Sequence, residues 1–397
     1  MQTQELSRRA ILKGGGAAFA GLTVLQVSGP AHAFPGKPGE ENVLPWLDQP
    51  DPGPTPQLVW EKLGSWYTPE KDFFVVNHYN QPELDPSTYR LAISGLVAHP
   101  QSLSLADLKK RRRREIDFTL ECSGNHGLTF FTGGVGNARW AGTPLAPLLE
   151  KAGVLKEGVE VVFWGADAGE GTIHESGKLT DEGFPGADLT ITERFARGMT
   201  VEDALSRDNL LCYEMNGAPL PEAHGKPVRL IAPGWYGVAN VKWLTRIEVR
   251  DQHYRGRFMA REYVTIREET RDGETVWTLS GVRHDRLKSA PAKVTRHDDR
   301  YSIFGAAWGA PIAAVEVSID AGDWREARLD RRGSRGRNGF AWRFWTLRWP
   351  DAAPGEHTIS SRAIDVEGNV QPTPEELAGK VTFWESNGQI TRRVAIP

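Results

Sequence analysis

The chain has 397 residues, a net charge of −3, 39% hydrophobic residues and two cysteines. That length accommodates two or three domains, and so balanced a charge provides no broad cationic face for nucleic acid. Two cysteines exclude a disulfide framework, and the chain has no Cys-x-x-Cys-His for c-type haem attachment.

In chain order, Ser7-Arg8-Arg9-Ala10-Ile11-Leu12-Lys13 forms a twin-arginine export motif. A Gly/Ala-rich stretch to Val27 and the small-residue site Ala31-His32-Ala33 complete a signal peptide over residues 1–33. Pro30 ends the apolar run early, so no stable membrane span is expected in the mature chain. The motif implies a periplasmic protein. Export in the folded state suits an enzyme loaded with its cofactor beforehand.

Residues 34–59, rich in Pro, Gly and acidic groups, read as an extended arm. Residues 60–270 mix strands with short helices. Strands are predicted at 89–95, 159–164, 210–214 and 228–232, and helices at 104–108, 145–152 (stopped by Gly153) and 201–205. This is α+β rather than regular βαβ alternation. The basic run 109–114 reads as a solvated helix end. Over residues 275–397 short strands alternate with Gly/Asp turns, at 302–308, 313–320, 341–349, 357–365 and 379–384. That texture predicts an all-β sandwich. Trp342, Trp345 and Trp349 serve either its core or a subunit contact.

Cys122 stands out. It ends the strand-like run Phe118-Thr119-Leu120-Glu121 and opens the turn Ser123-Gly124-Asn125. A thiolate delivered from a strand end into a loop is placed to bind a soft metal. Cys212, inside an apolar strand, reads as a small buried hydrophobe.

The segments Phe73-Phe74-Val75-Val76-Asn77-His78, Leu120-Glu121-Cys122-Ser123-Gly124-Asn125, Ala138-Arg139-Trp140-Ala141-Gly142, Tyr213-Glu214-Met215-Asn216-Gly217 and Val241-Lys242-Trp243-Leu244 occur in this order. The chain thereby resembles the sulfite oxidase family from about residue 60 to its C-terminus. The resemblance implies a molybdopterin-binding catalytic domain over 60–270 and an immunoglobulin-like dimerisation domain over 275–397, hence a homodimer. It implies molybdenum held by a pterin dithiolene, with Cys122 as the protein's metal ligand. Asn77 and His78 fall beside the pterin, Asp167 accepts from pterin N–H groups, and His224, Arg229 and Lys242 hold the pterin and its phosphate. Gly234 to Asn240 would present backbone N–H groups to that phosphate. Tyr263 matches the family's active-site tyrosine, able to hydrogen-bond substrate and assist proton movement.

The resemblance also exposes departures. The family has pocket arginines where this chain has Val76 and Gly127. The 125–140 segment is shorter, with Phe130 and Phe131 in place of a pocket tryptophan. Losing those cations removes bidentate anion recognition, for which Arg139, Lys178 or Arg343 are the nearby candidates. The run 174–188, with His174, Glu175, Lys178 and Asp181, reads as an insertion near the entrance or a solvated loop.

The implied activity is oxidation of sulfite to sulfate by oxygen-atom transfer, with electrons passing to a separate acceptor such as a periplasmic cytochrome c. A second reading keeps the cofactor and changes the substrate to another sulfur compound, a carrier-bound intermediate, or an S- or N-oxide. A third makes the chain a binding protein that has lost the cofactor.

Overall fold

The computed structural model describes residues 42–49, 53–175, 187–298, 300–330 and 339–397. The signal over 1–33, Lys178 and the middle of the 174–188 run lie outside them.

Two five-stranded sheets form the N-terminal part. One runs Gln101–Ser104, Arg90–Gly95, Leu244–Arg250, Glu160–Glu175, Ala187–Thr200. Its Arg90–Gly95 and Leu244–Arg250 pairing is parallel, and its other ladders are antiparallel. The other sheet orders Arg229–Ile231, Leu210–Met215, Val135–Pro144 and Arg114–Glu121, with the short strand Ala218–Pro219 at its side. Leu91, Ile93, Val161, Phe163 and Ile247 are fully buried beneath the first sheet; Phe118, Trp140, Cys212 and Ile231 are fully buried on the second. Each such side chain contributes roughly 1.5–3 kcal/mol by leaving water.

Only three short α-helices occur among the described residues, so the N-terminal part is richer in strand than α+β texture suggested. Two begin or stop as their sequences dictate. Ser104 accepts from Asp107 N while the Asp107 carboxylate accepts from Ser104 N, a reciprocal cap on Leu105–Lys109. Gly153 takes φ 69° to close Ala146–Ala152. Beyond the first of these, the basic run is engaged at its end: Arg113 pairs with Glu115 and Glu214, and Arg114 with Asp208.

The C-terminal part has two antiparallel sheets sharing one core. Asn42–Leu44, Lys288–His297, Arg300–Trp308, Arg343–Trp349 and Arg328–Leu329 form one; Arg325–Glu326, Ile312–Ile319, Gly355–Asp365 and Ile390–Ile396 form the other. Val294, Ile303, Val315, Val317, Trp345 and Ile359 fill the space they share. Trp342, Trp345 and Trp349 are buried, which makes them core residues. The described parts of the 34–59 arm touch both parts of the chain. Asn42–Leu44 adds an edge strand to this C-terminal sheet, and Leu58 N donates to Gly133 O in the N-terminal part.

Two elements depart from expectation. Residues 379–384 are not a strand. Phe383 and Trp384 are consecutive, yet both rings lie 3.7 Å from where a Cβ on Gly124 would sit. A strand sends consecutive side chains to opposite faces, so this packing excludes one. A hairpin of Val264–Arg271 with Glu274–Gly281, for which no strands are predicted, occupies the junction between the two parts.

Candidate functional site

The strand Arg114–Glu121, at the edge of the second sheet, ends by delivering Cys122 to a cleft. Cys122 N donates to Gly134 O at 2.8 Å, and Cys122 O accepts from Asn125 N at 2.9 Å, so the turn that follows is closed on itself. The cleft is lined by Val76, Asn77, His78, Cys122, Asp167, Phe195, His224, Arg229, Asn240, Lys242 and Tyr263, among others. All eight residues expected at the site from the resemblance therefore face one cavity, although up to 186 positions separate them in sequence (263 − 77).

Different local devices place them. Asp167 sits where the strand Glu160–Glu175 breaks register with its neighbour between Trp164 and Ala168. That irregularity turns its carboxyl inward. His224 ends the 3-10 turn Glu222–His224, closed by Gly225 at φ 100°. Arg229 opens the strand Arg229–Ile231, and its guanidinium donates to His224 O at 3.1 Å and Asn240 O at 2.9 Å. Lys242 Nζ donates to Val76 O at 2.9 Å, Ala223 O at 3.0 Å and Asn77 Oδ1. Gly237 and Val238 open the 3-10 turn Gly237–Ala239, so their N–H groups lack an intrahelical acceptor. Both line the cleft, as the expected phosphate contact requires. Space at Gly237 is tight: a Cβ there would lie 3.2 Å from Glu121 O.

Tyr263 adopts φ 58°, an uncommon conformation for a bulky residue. It brings the phenol to His78 Nε2 at 2.5 Å. Its ring stacks on Trp384 with centroids 4.1 Å apart. His78 in turn stacks on Phe195 at 4.5 Å. Burial, followed by the charges of Lys242, Arg197 and Arg257, lowers His78 to about 3. The imidazole is thus neutral at pH 7, and the Tyr263 hydroxyl, pushed up by burial and by nearby Cys122, keeps its proton. Burial and Arg229 likewise lower His224 to about 3. Burial raises the Asp167 carboxyl and lowers the Lys242 amine.

The residues present fit a pterin-bound metal. Asp167 Oδ1 and Arg229 Nε are buried without a hydrogen-bond partner, so the cleft holds one spare acceptor and one spare donor. Spare buried polar groups are costly unless a ligand satisfies them. Burial raises the Cys122 thiol to about 12. Its thiolate therefore needs a cation, which a coordinated metal provides. Cys212 is unsuited: it is fully buried in mid-strand, with Sγ donating to Glu214 O at 3.1 Å.

Of the candidates to replace the missing arginines, the two among the described residues do not. Arg139 is committed to Asp117 and Tyr67, and Arg343 donates to Ile312 O and Asp330 O. Neither lines the cleft. At Gly127 a Cβ would fall 1.9 Å from Phe383 O, so the backbone of the C-terminal part occupies the place of a side chain. Phe131 is buried and Phe130 half exposed. The sequence reading missed Phe195, Phe258 and Trp384, which wall His78 and Tyr263. No spacing signal marks them, because each comes from a separate segment.

Two predictions test this geometry. Gly127→Ala is expected to cost about 1–3 kcal/mol or more by overpacking against Phe383, read from chemical denaturation midpoints. In cofactor-free protein, His78 and His224 stay neutral down to about pH 3 in the fold but protonate near 6.5 when unfolded. Unfolding therefore takes up protons below pH 6.5, and stability falls as pH drops from 6.5 toward 3. The slope is up to about 1.4 kcal/mol per pH unit for each histidine. Denaturation curves at pH 7 and 5 check this; equal stabilities would contradict it.

Comparison with known proteins agrees with the cleft. Residues 78–258 match the oxidoreductase molybdopterin binding domain, and residues 264–388 match the Mo-co oxidoreductase dimerisation domain. The mitochondrial sulfite oxidase of Homo sapiens is 35% identical over 344 residues, covering 80% of this chain and 59% of that protein. The chain thus spans about three fifths of that relative's length. The sulfite oxidase of Gallus gallus is 32% identical, with 80% of this chain and 70% of that protein covered. Among solved structures, the sulfane dehydrogenase SoxCD of Paracoccus pantotrophus superposes with a TM-score of 0.70 at 26% identity, over 94% of this chain and 96% of that one. With a thiol, a spare acceptor and a cationic end converging in the domain that these relatives share, the chain belongs to the sulfite oxidase family of molybdopterin-dependent oxidoreductases.

Proposed function

We propose that this chain oxidises a sulfur compound at a molybdenum–pterin centre and passes the electrons to a separate acceptor. The observation that carries this reading is the convergence of Cys122, Tyr263, His78, His224, Arg229 and Lys242 on one cleft. When bound, the molybdenum dithiolene supplies two-electron oxygen-atom transfer. The substrate sulfur gains one oxygen derived from water, releasing two protons and two electrons.

The chain's own residues have distinct tasks. Cys122 gives the thiolate ligand. Arg229, Lys242 and His224 pair with the pterin's phosphate by charge-assisted hydrogen bonds, and Asp167 accepts from its ring N–H groups. Neutral His78 fixes the Tyr263 hydroxyl, which hydrogen-bonds the reacting group and holds a proton beside it. Tyr263→Phe is expected to lower kcat by about 10²-fold with cofactor content unchanged; unaltered kcat would remove Tyr263 from the chemistry.

Free sulfite is not the substrate that this pocket suits best. Val76 and Gly127 supply no cation, and Phe73, Phe74, Val76 and Phe195 give the cleft apolar walls. We favour a sulfur atom bonded to another sulfur or to a carrier, the class named for the Paracoccus pantotrophus structure, with sulfite as the second reading. Around this site we place the twin-arginine export to the periplasm, a cytochrome c acceptor, and a homodimer through an immunoglobulin-like C-terminal domain. Light scattering showing a single-chain mass would remove the homodimer.

Anaerobic addition of sulfite or of a persulfide to the oxidised, molybdenum-loaded protein, followed by the Mo(V) paramagnetic signal, decides the substrate. Reduction by micromolar sulfite restores the sulfite reading. Reduction by the persulfide and not by sulfite supports the reading favoured here.

A further inference from the structure

The residue before the metal ligand is a glutamate with no solvent access, held by the other domain. Glu121 Oε1 accepts from Lys288 Nζ at 2.5 Å and from Asn125 Nδ2 at 2.8 Å, and Oε2 accepts from Trp308 Nε1 at 2.8 Å. The Glu121 and Lys288 side chains are 0% and 1% exposed. Lys288 and Trp308 are cross-strand partners at the start of the Lys288–His297 and Arg300–Trp308 ladder, inside the C-terminal part. They reach across to the cofactor domain. Asn125 passes the constraint on: its Oδ1 accepts from Gly134 N at 2.9 Å, and Gly134 O accepts from Cys122 N at 2.8 Å. On the far side of Cys122, Ser123 O accepts from Glu385 N at 2.7 Å, and the Glu385 carboxylate accepts from Thr265 Oγ1 at 2.5 Å.

We propose that Lys288 and Trp308 are positioning residues for Cys122, acting through Glu121, so that the C-terminal domain sets the geometry of the metal ligand. This rests on the molybdenum reading above. The physical reason is that a buried ion pair is a poor source of stability, since apolar residues of equal volume serve as well or better. Three directional donors on one carboxylate instead fix a single rotamer of Glu121, and with it the backbone one peptide bond from Cys122. Groups that orient a ligand from outside the coordination sphere typically change affinity or rate 10–100-fold when removed.

The test uses the holoenzyme. Trp308→Phe removes one donor and leaves the ion pair. Glu121→Gln/Lys288→Met removes both charges together. Ser289→Ala is the control: it breaks the buried Ser289–Ser361 hydroxyl contact one residue from Lys288 without touching Glu121. Measured are molybdenum and pterin content, the Mo(V) g-values, kcat, KM and the thermal midpoint. The expected result is shifted g-values and a kcat at least about 10-fold lower in Trp308→Phe and the double variant. KM should stay within about twofold of the parent. Ser289→Ala should lower the midpoint alone. Parental g-values and kcat in both test variants overturn the proposal. If the double variant does not fold, Trp308→Phe decides alone. A wild-type protein that binds no molybdenum overturns the cofactor reading itself, which separates the two failures.

Discussion

Cys122→Ser is expected to abolish turnover, by about 10³-fold or more, while pterin content stays near that of the parent. The two outcomes separate because the contacts differ. The residues proposed to hold the pterin make their hydrogen bonds away from the thiol: Arg229 to His224 O and Asn240 O, Lys242 to Val76 O and Ala223 O. The metal end has one sulfur, and Cys212 cannot stand in for it from the interior of Leu210–Met215. A serine hydroxyl is a harder, far less acidic ligand than a thiol and stays protonated in a buried site. Metal analysis, pterin fluorescence after release and the Mo(V) signal check this. Parental turnover would remove Cys122 from the metal.

Lys288→Met is expected to give the largest loss of stability from a single substitution in this region, about 3–5 kcal/mol. The loss comes from what remains. Glu121 stays fully buried and loses its only cation among the described residues, keeping two neutral donors from Asn125 and Trp308. The carboxylate must then stay charged in a low-dielectric interior or take up a proton. Adding Glu121→Gln should recover most of the loss, because a neutral amide accepts from Trp308 without needing a countercharge. Denaturant midpoints of the two variants measure it. A double variant no better than Lys288→Met would place the cost in packing rather than charge.

Much of the site was readable along the chain. Local patterns carried the cap at Ser104, the stop at Gly153, the turn after Cys122 and the alternating strands of the C-terminal part. Each depends on residues a few positions apart, whose chemistry acts through the backbone between them. The ordered segments around Asn77, Cys122, Tyr213 and Lys242 pointed to one family and one cofactor. The walls of the pocket were not readable. Phe195, Trp384 and the Phe383 carbonyl over Gly127 meet the site only because two sheets and a junction hairpin close on it. Residues 379–384 look like a strand by composition, and it is packing against Gly124 and Tyr263 that denies them the alternation a strand needs. Glu121 and Lys288 lie 167 positions apart and carry no shared pattern. The sequence by itself therefore determined the family and its cofactor, since these reside in short contiguous runs. Only the tertiary structure decided what surrounds the reacting sulfur and what holds Cys122 in place, since both are made by side chains that long-range packing alone brings together.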